Sequence, residues 1–345
     1  MQSFNIIYFK NYLIFIHILK LSNNVFGTIS EPFSSFIREN FGNEAEKLLA
    51  RRDLGPGGSF GGGEIRLERS SNFDIEKLFK KSRIHHRPVI LVHGLSTIAG
   101  EYENIRQYFL FNGYSDNEVF GTSYSFGKLH WTKDSMECKH VKLIRLMLQA
   151  VSTYSNSQVD VIGYSMGSPI ARKVFLKAIL GGRCVDTEEE LGPPLTHLVH
   201  SFLGVAGANR DAVYLCKLLQ YSYKHGYGPC NNVTGIRCHS RFLDDLNGEN
   251  RSRFEASKRI YTIYSETDEI VGFKDCDGKY VSEIKGQDHT LKFKLLVSRA
   301  GRFRIFASFA YFTFLLRKVS HFAFWNKCEI CFAFLFRKGK EISII

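Results

Sequence analysis

The amino-acid sequence predicts an α/β fold, a mostly parallel sheet covered by helices on both faces, and three observations carry that expectation. Short apolar runs closed by glycine recur along the chain. The clearest is Pro88-Val89-Ile90-Leu91-Val92-His93-Gly94, which suits a strand buried on both faces. Between such runs lie stretches with helical spacing: in residues 136–154, Ile144, Met147, Leu148 and Val151 recur at i, i+3, i+4 and i+7. The two kinds of segment alternate over much of a 345-residue chain, which implies parallel strands joined by crossover helices.

The elements follow in order. Residues 34–49 are expected to form an opening helix. The run Gly55-Pro56-Gly57-Gly58-Ser59-Phe60-Gly61-Gly62-Gly63 invites a phosphate-loop reading, but no Gly-Lys-Ser/Thr closes it and no strand feeds it. It reads better as a flexible or tightly turning connection. Strands are expected at 88–94, 119–124 and 159–163. A helix over 168–180 carries Pro169 in its first turn, where the missing N–H costs nothing, and Ile170, Val174 and Ala178 as one apolar row; Gly181-Gly182 can stop it. Residues 196–205 and 259–265 read as further strands. Leu291, Phe293 and Leu295, alternating with Lys292 and Lys294, suggest one more.

The formal charge of +12 first suggests an anionic partner. However, residues 297–345 hold nine Lys/Arg against two Glu, a net +7, leaving only +5 for residues 1–296. No basic stripe interleaved with stacking aromatics appears in that larger part, so nucleic acid is not an expected partner.

Both ends of the chain differ from the middle. Near the N-terminus Lys10 precedes Tyr12-Leu13-Ile14-Phe15-Ile16-His17-Ile18-Leu19, with polar Ser22-Asn23-Asn24 behind it. That length suits the apolar core of an export signal ending near Gly27, and is too short for a membrane span; a buried helix is the plainer reading. Six cysteines lie in residues 30–296: Cys138, Cys184, Cys216, Cys230, Cys238 and Cys276. None has paired CxxC spacing, so disulfides in an oxidising compartment are expected over a metal site, with the pairing open among 15 possibilities. Asn232-Val233-Thr234 and Asn250-Arg251-Ser252 are glycosylation sequons, which agree with a secreted protein. Residues 297–345 contain ten of the 30 phenylalanines, no proline and no aspartate. The longest uncharged run there, 305–316, is too short to span a bilayer, and Cys328-Glu329-Ile330-Cys331 reads as a chance pair. The codons of Val297-Ser298 can read as the start of an intron, so this tail is expected to be translated intron. Full-length transcript sequencing checks it.

The chemistry centres on Gly163-Tyr164-Ser165-Met166-Gly167, a G-x-S-x-G sequence between an expected strand and an expected helix. Such a turn must be sharp, leaves the serine hydroxyl exposed at the sheet's carboxyl edge, and has no room for side chains at its two glycines. Ser165 is therefore the expected nucleophile. An oxyanion hole is expected from the backbone N–H groups of Leu95, after the His93-Gly94 strand end, and of Met166. Arg259-Ile260-Tyr261-Thr262-Ile263-Tyr264-Ser265 leads into Glu266-Thr267-Asp268, placing Asp268 in a strand-end loop as the expected acid, with Glu266 and Glu269 as alternatives. The order Ser, acid, His leaves His93 structural and makes His289 the candidate base, with His321 behind it. Strand alternation after His289 counts against it, because functional residues in such sheets lie beyond the carboxyl ends of strands.

His93-Gly94, the G-x-S-x-G run, Gly204-Val205-Ala206-Gly207-Ala208-Asn209 and Ser265-x-x-Asp268-x-x-Val271, in that order, resemble the class 2 lipase family of the α/β-hydrolase superfamily over residues 34–296. The resemblance implies a secreted lipase or carboxylesterase with a Ser-Asp-His triad and no metal or cofactor. Its partner is a lipid or other ester substrate, with transient contact at a lipid interface. Oligomeric state stays open. On this reading residues 1–27 are a signal peptide, 28–296 the hydrolase domain and 297–345 the atypical tail. A binding protein on the same fold, or an acyltransferase, are the alternatives. The aromatic stretch 214–227 is expected to line an acyl pocket, act as a lid, or simply pack.

Overall fold

In a computed structural model, residues 27–63, 84–175, 182–248 and 253–293 are described. The export signal, the last part of the helix expected over 168–180, the sequon at Asn250 and the tail with His321 lie outside them. Helices α1 (Glu31–Phe41) and α2 (Asn43–Ala50) open the chain. The sequence suggests one helix here, but Gly42 at φ 91° ends the first and caps the second. Ser30 caps α1 by accepting the Phe33 N–H.

The glycine run that follows is a tight turn with a strand inside it. Strand β1 (Ser59–Phe60) pairs antiparallel with β3 (Val119–Thr122) at the sheet's edge. Gly61 and Gly62, at φ 119° and 93°, let this segment lie against Phe120 and Phe33, where a Cβ would approach to 2.5 Å and 2.3 Å. Glycine is needed for both the conformation and the space.

The remaining strands are parallel. They are β2 (Val89–Val92), β4 (Val159–Tyr164), β5 (Val199–Val205), β6 (Arg259–Ser265) and β7 (His289–Phe293). The order across the sheet is β1-β3-β2-β4-β5-β6-β7. Between them run α3 (Glu103–Phe111), α4 (Cys138–Ser155) and α5 (Gly167–Phe175). Short helices α6 (Val213–Leu218), α7 (Gln220–His225) and α8 (Arg241–Leu246) follow β5. The central strands β2, β3 and β4 are apolar or glycine at nearly every position because both faces are covered, with one core against α4 and α5 and another against α3. Residues 196–198, expected as strand, form a 3₁₀ turn before β5. Three disulfides form among the described residues, Cys138–Cys184, Cys216–Cys230 and Cys238–Cys276, selecting one of the pairings the sequence left open.

One polar contact inside the helical layer stands out. Arg172 of α5 donates from Nε to Glu255 at 2.9 Å, and both side chains are 1% exposed. Arg172 also donates from Nη1 to the Asn247 side-chain Oδ1 at 3.2 Å. Removing one member leaves the other charged and dry. Glu255→Ala is expected to lower unfolding stability by about 3–5 kcal/mol in urea titration. A loss under about 1 kcal/mol contradicts a dry pair.

Candidate active site

Ser165 sits between the end of β4 and the start of α5 at φ 51°, a left-handed conformation that a non-glycine residue adopts only under constraint. The constraint is visible in its neighbours. A Cβ at Gly167 would fall 2.1 Å from the His93 carbonyl oxygen, and one at Gly163 would fall 2.7 Å from the Ser168 Cα. Helix α5 therefore rests directly on the backbone of β2. The Ser165 N–H donates to the Val205 carbonyl at 3.0 Å, and its carbonyl accepts from Ser168 and Ala208 at 3.1 and 3.2 Å. Ser165 itself is half-buried, at the carboxyl edge of the sheet.

Gly94, just past β2, closes the corner beside Ser165: a Cβ there would stand 3.0 Å from the Ser165 Cβ. Leu95 follows it in the chain. Among the described residues no acceptor takes the N–H of Leu95 or of Met166.

His93 is held beneath this corner. Its ring stacks on Tyr124 at 3.9 Å, its Nδ1 donates to the Gly94 carbonyl at 2.8 Å, and its Nε2 accepts the Tyr124 N–H at 3.0 Å. Burial pushes its pKa down to about 3. With both nitrogens engaged it is a structural neutral imidazole.

Asp268 lies three residues beyond β6, on the same edge, with one strand between β6 and β4. Its Oδ1 accepts the N–H groups of Ile270 and Val271 at 2.8 and 2.9 Å. Burial raises its pKa against the lowering effect of these backbone donors. Leu215 of α6 donates its N–H to the Ile270 carbonyl at 3.0 Å, and the Tyr214 ring covers Gly272. The aromatic stretch after β5 thus borders the Asp268 loop.

His289 is the correction. It is the first residue of β7 and pairs with Tyr261, which is level with Leu203 of β5 and Ile162 of β4. His289 is therefore three strands across from β4 and three residues short of the level of Ser165. With about 4.8 Å between strands and about 3.3 Å per residue, roughly 17 Å separates the two backbones. No imidazole spans that gap. His289 is exposed and stacks on Tyr261 near the amino edge, so the structure does not bring it to Ser165 or Asp268. Among the described residues no hydrogen bond joins a histidine to either one.

Sequence reasoning also missed the supports of the elbow. The Ser168 hydroxyl donates to Asn209 Oδ1 at 2.9 Å, Asn209 Nδ2 donates to the Ser282 carbonyl at 2.8 Å, and Asn247 Nδ2 donates to the Asn209 carbonyl at 2.7 Å. Asn209 was legible only as the last residue of the Gly204–Asn209 run.

A serine on a strained strand-to-helix turn, in a parallel sheet of this order, defines the α/β-hydrolase fold. The sequence profile described as Lipase (class 2) matches residues 86–300, more than half of the chain, and the chain belongs to that family of ester hydrolases. No curated protein sequence matches it. Among solved structures it is similar to lipase B of Aspergillus fumigatus, at 18% identity and TM-score 0.41, over 59% of this chain and 44% of that one. It is also similar to a mature Bacillus licheniformis lipase, at 13% identity and TM-score 0.36, over 60% and 71% of the two chains. A third is the monoacylglycerol lipase of Paleococcus ferrophilus, at 14% identity and TM-score 0.36, over 67% and 96%. The match spans less than half the length of the Aspergillus enzyme.

The buried ring of His93 has a consequence for pH. Unfolded, it takes up a proton near 6.5; folded, only near 3. Between those values the unfolded chain holds the extra proton. This contribution to stability is complete above about 6.5 and is lost as pH falls towards 3. An imidazole NMR titration is expected to find His93 neutral down to about pH 4. A midpoint near its ordinary value contradicts the buried, doubly bonded ring.

Proposed function

We propose that this protein is a secreted serine hydrolase that cleaves carboxylic esters of lipids. The observation that carries the reading is Ser165, half-exposed at φ 51° beside the backbone of Gly94. Ser165 attacks the ester carbonyl, the N–H groups of Leu95 and Met166 hold the oxyanion, and water releases the acyl group from the serine. Asp268 orients the histidine that takes the serine proton. That histidine is expected just after Leu296, where the atypical tail begins. The hydrolase domain is read as residues 28–296, preceded by the export signal. Three disulfides support an oxidising, extracellular setting.

Phe126 and Leu129 after β3, and Tyr214, Leu218 and Tyr227 after β5, are exposed on segments that leave the carboxyl edge. They support transient contact with a lipid interface. Replacing Leu129 and Leu218 by Asp is expected to slow hydrolysis of an emulsified ester severalfold while a soluble short-chain ester is turned over as before. Equal loss on both substrates removes the interface reading.

The second reading is a lipid-binding protein on the same fold, favoured by the distance of His289 from Ser165. A fluorophosphonate probe on the purified protein separates the two. Strong labelling that disappears in Ser165→Ala supports the hydrolase; a folded wild type that does not label supports the binder. Asp268→Asn is expected to lower kcat on the order of 10⁴-fold, and His289→Ala to leave it unchanged. An acyltransferase would label equally but pass the acyl group to an added alcohol rather than to water.

A further inference from the structure

Gly94 is held at both of its polar groups by hydrogen bonds to side chains. Its N–H donates to the Tyr102 hydroxyl at 3.1 Å. The Thr97 hydroxyl donates to the Gly94 carbonyl at 3.0 Å. His93 Nδ1 is a second donor to that carbonyl.

The geometry of the peptide group gives these contacts a chemical consequence. The Gly94 carbonyl and the Leu95 N–H belong to one planar, trans unit and point in opposite directions. Whatever fixes the carbonyl aims the N–H. Gly94 has no side chain to resist rotation of that unit, and Ser96, one residue on, is at φ 64° in a turn. Two donors on the carbonyl also polarise the same amide, which strengthens its N–H as a donor. Gly94 is tied to the elbow through Tyr102, which is buried and packs edge-on to Tyr164, the residue before Ser165, with ring centroids 6.0 Å apart.

We propose that Thr97 is a positioning residue, whose hydroxyl holds the Gly94 carbonyl so that the Leu95 N–H points at the oxyanion formed on attack by Ser165. This rests on the hydrolase reading above. Thr97 is half-buried and touches no substrate in this role, so its effect reaches the reaction only through the direction of one amide.

The test is Thr97→Val, which keeps the shape and removes the donor, measured on a soluble p-nitrophenyl ester. Full loss of an oxyanion donor costs about 10²–10³ in rate, and a misaimed one is expected to lower kcat on the order of tenfold with KM unchanged. Thr97→Ser restores the donor and is expected to stay within about twofold of wild type. Tyr102→Phe, which removes the acceptor of the Gly94 N–H, is expected to change kcat in the same sense. Melting temperature is followed for every variant. Wild-type kcat in Thr97→Val overturns the proposal, as does an equal loss in Thr97→Ser or a loss that tracks melting temperature. A wild-type protein that fails to label with fluorophosphonate removes the hydrolase reading and this proposal together. A labelled wild type with an unaffected Thr97→Val removes this proposal alone.

Discussion

The site depends on how closely helix α5 approaches strand β2. Gly167 lies against the carbonyls of Val92 and His93, so near that no Cβ fits. With the helix start pinned there and β4 paired between β2 and β5, the chain must reverse within a few residues. Ser165 absorbs that reversal in its own backbone. A left-handed non-glycine residue costs on the order of 1–3 kcal/mol and persists only where the surroundings overdetermine it. Here the Val205, Ser168 and Ala208 backbone bonds do so. The same approach brings Gly94 alongside Ser165, so the strain and the pair of free N–H groups have one cause.

Beneath the turn, polar contacts tie together elements that are distant in the chain. Ser168 and Arg172 of α5 meet Asn209 after β5, Asn247 after α8 and Glu255, and Asn209 and Asn247 carry the contacts on to Ser282 and to each other. A buried network of this kind adds little net stability compared with apolar packing, but each member is costly to leave unpaired. It favours one register of α5 against the loops that carry the Asp268 side of the site. Two of the three disulfides act in the same region: Cys216–Cys230 fixes the segment after β5, and Cys238–Cys276 joins it to the loop after β6.

A parallel sheet has two unlike edges, and that separates the histidines. At the carboxyl edge backbone chains turn away and leave room, and Ser165 and Asp268 are both there. His289 enters β7 from the other edge. His93 reaches the site from below, but burial and two hydrogen bonds leave it neutral and fully used. Neither has a nitrogen to offer Ser165.

Much of this was legible in the residues alone. The apolar runs fixed the parallel strands, because strands buried on both faces admit little else, and β6 fell where expected. The elbow was readable because a sharp strand-to-helix turn demands glycine at two positions and a strand before it. Other features depended on contacts that no local pattern records. Gly42 broke one expected helix into two, the glycine run hid an edge strand, and the cysteine pairing required knowing which loops meet. The strand after His289 argued against it, but only the register of β7 against β6 set the distance. The supports at Thr97, Tyr102 and Asn209 are single polar residues without spacing or motif, and they acquire a role only when folding brings Gly94 and Ser168 against them. Local sequence determines which segments are strands and where the chain must bend; packing decides which side chains then face one another.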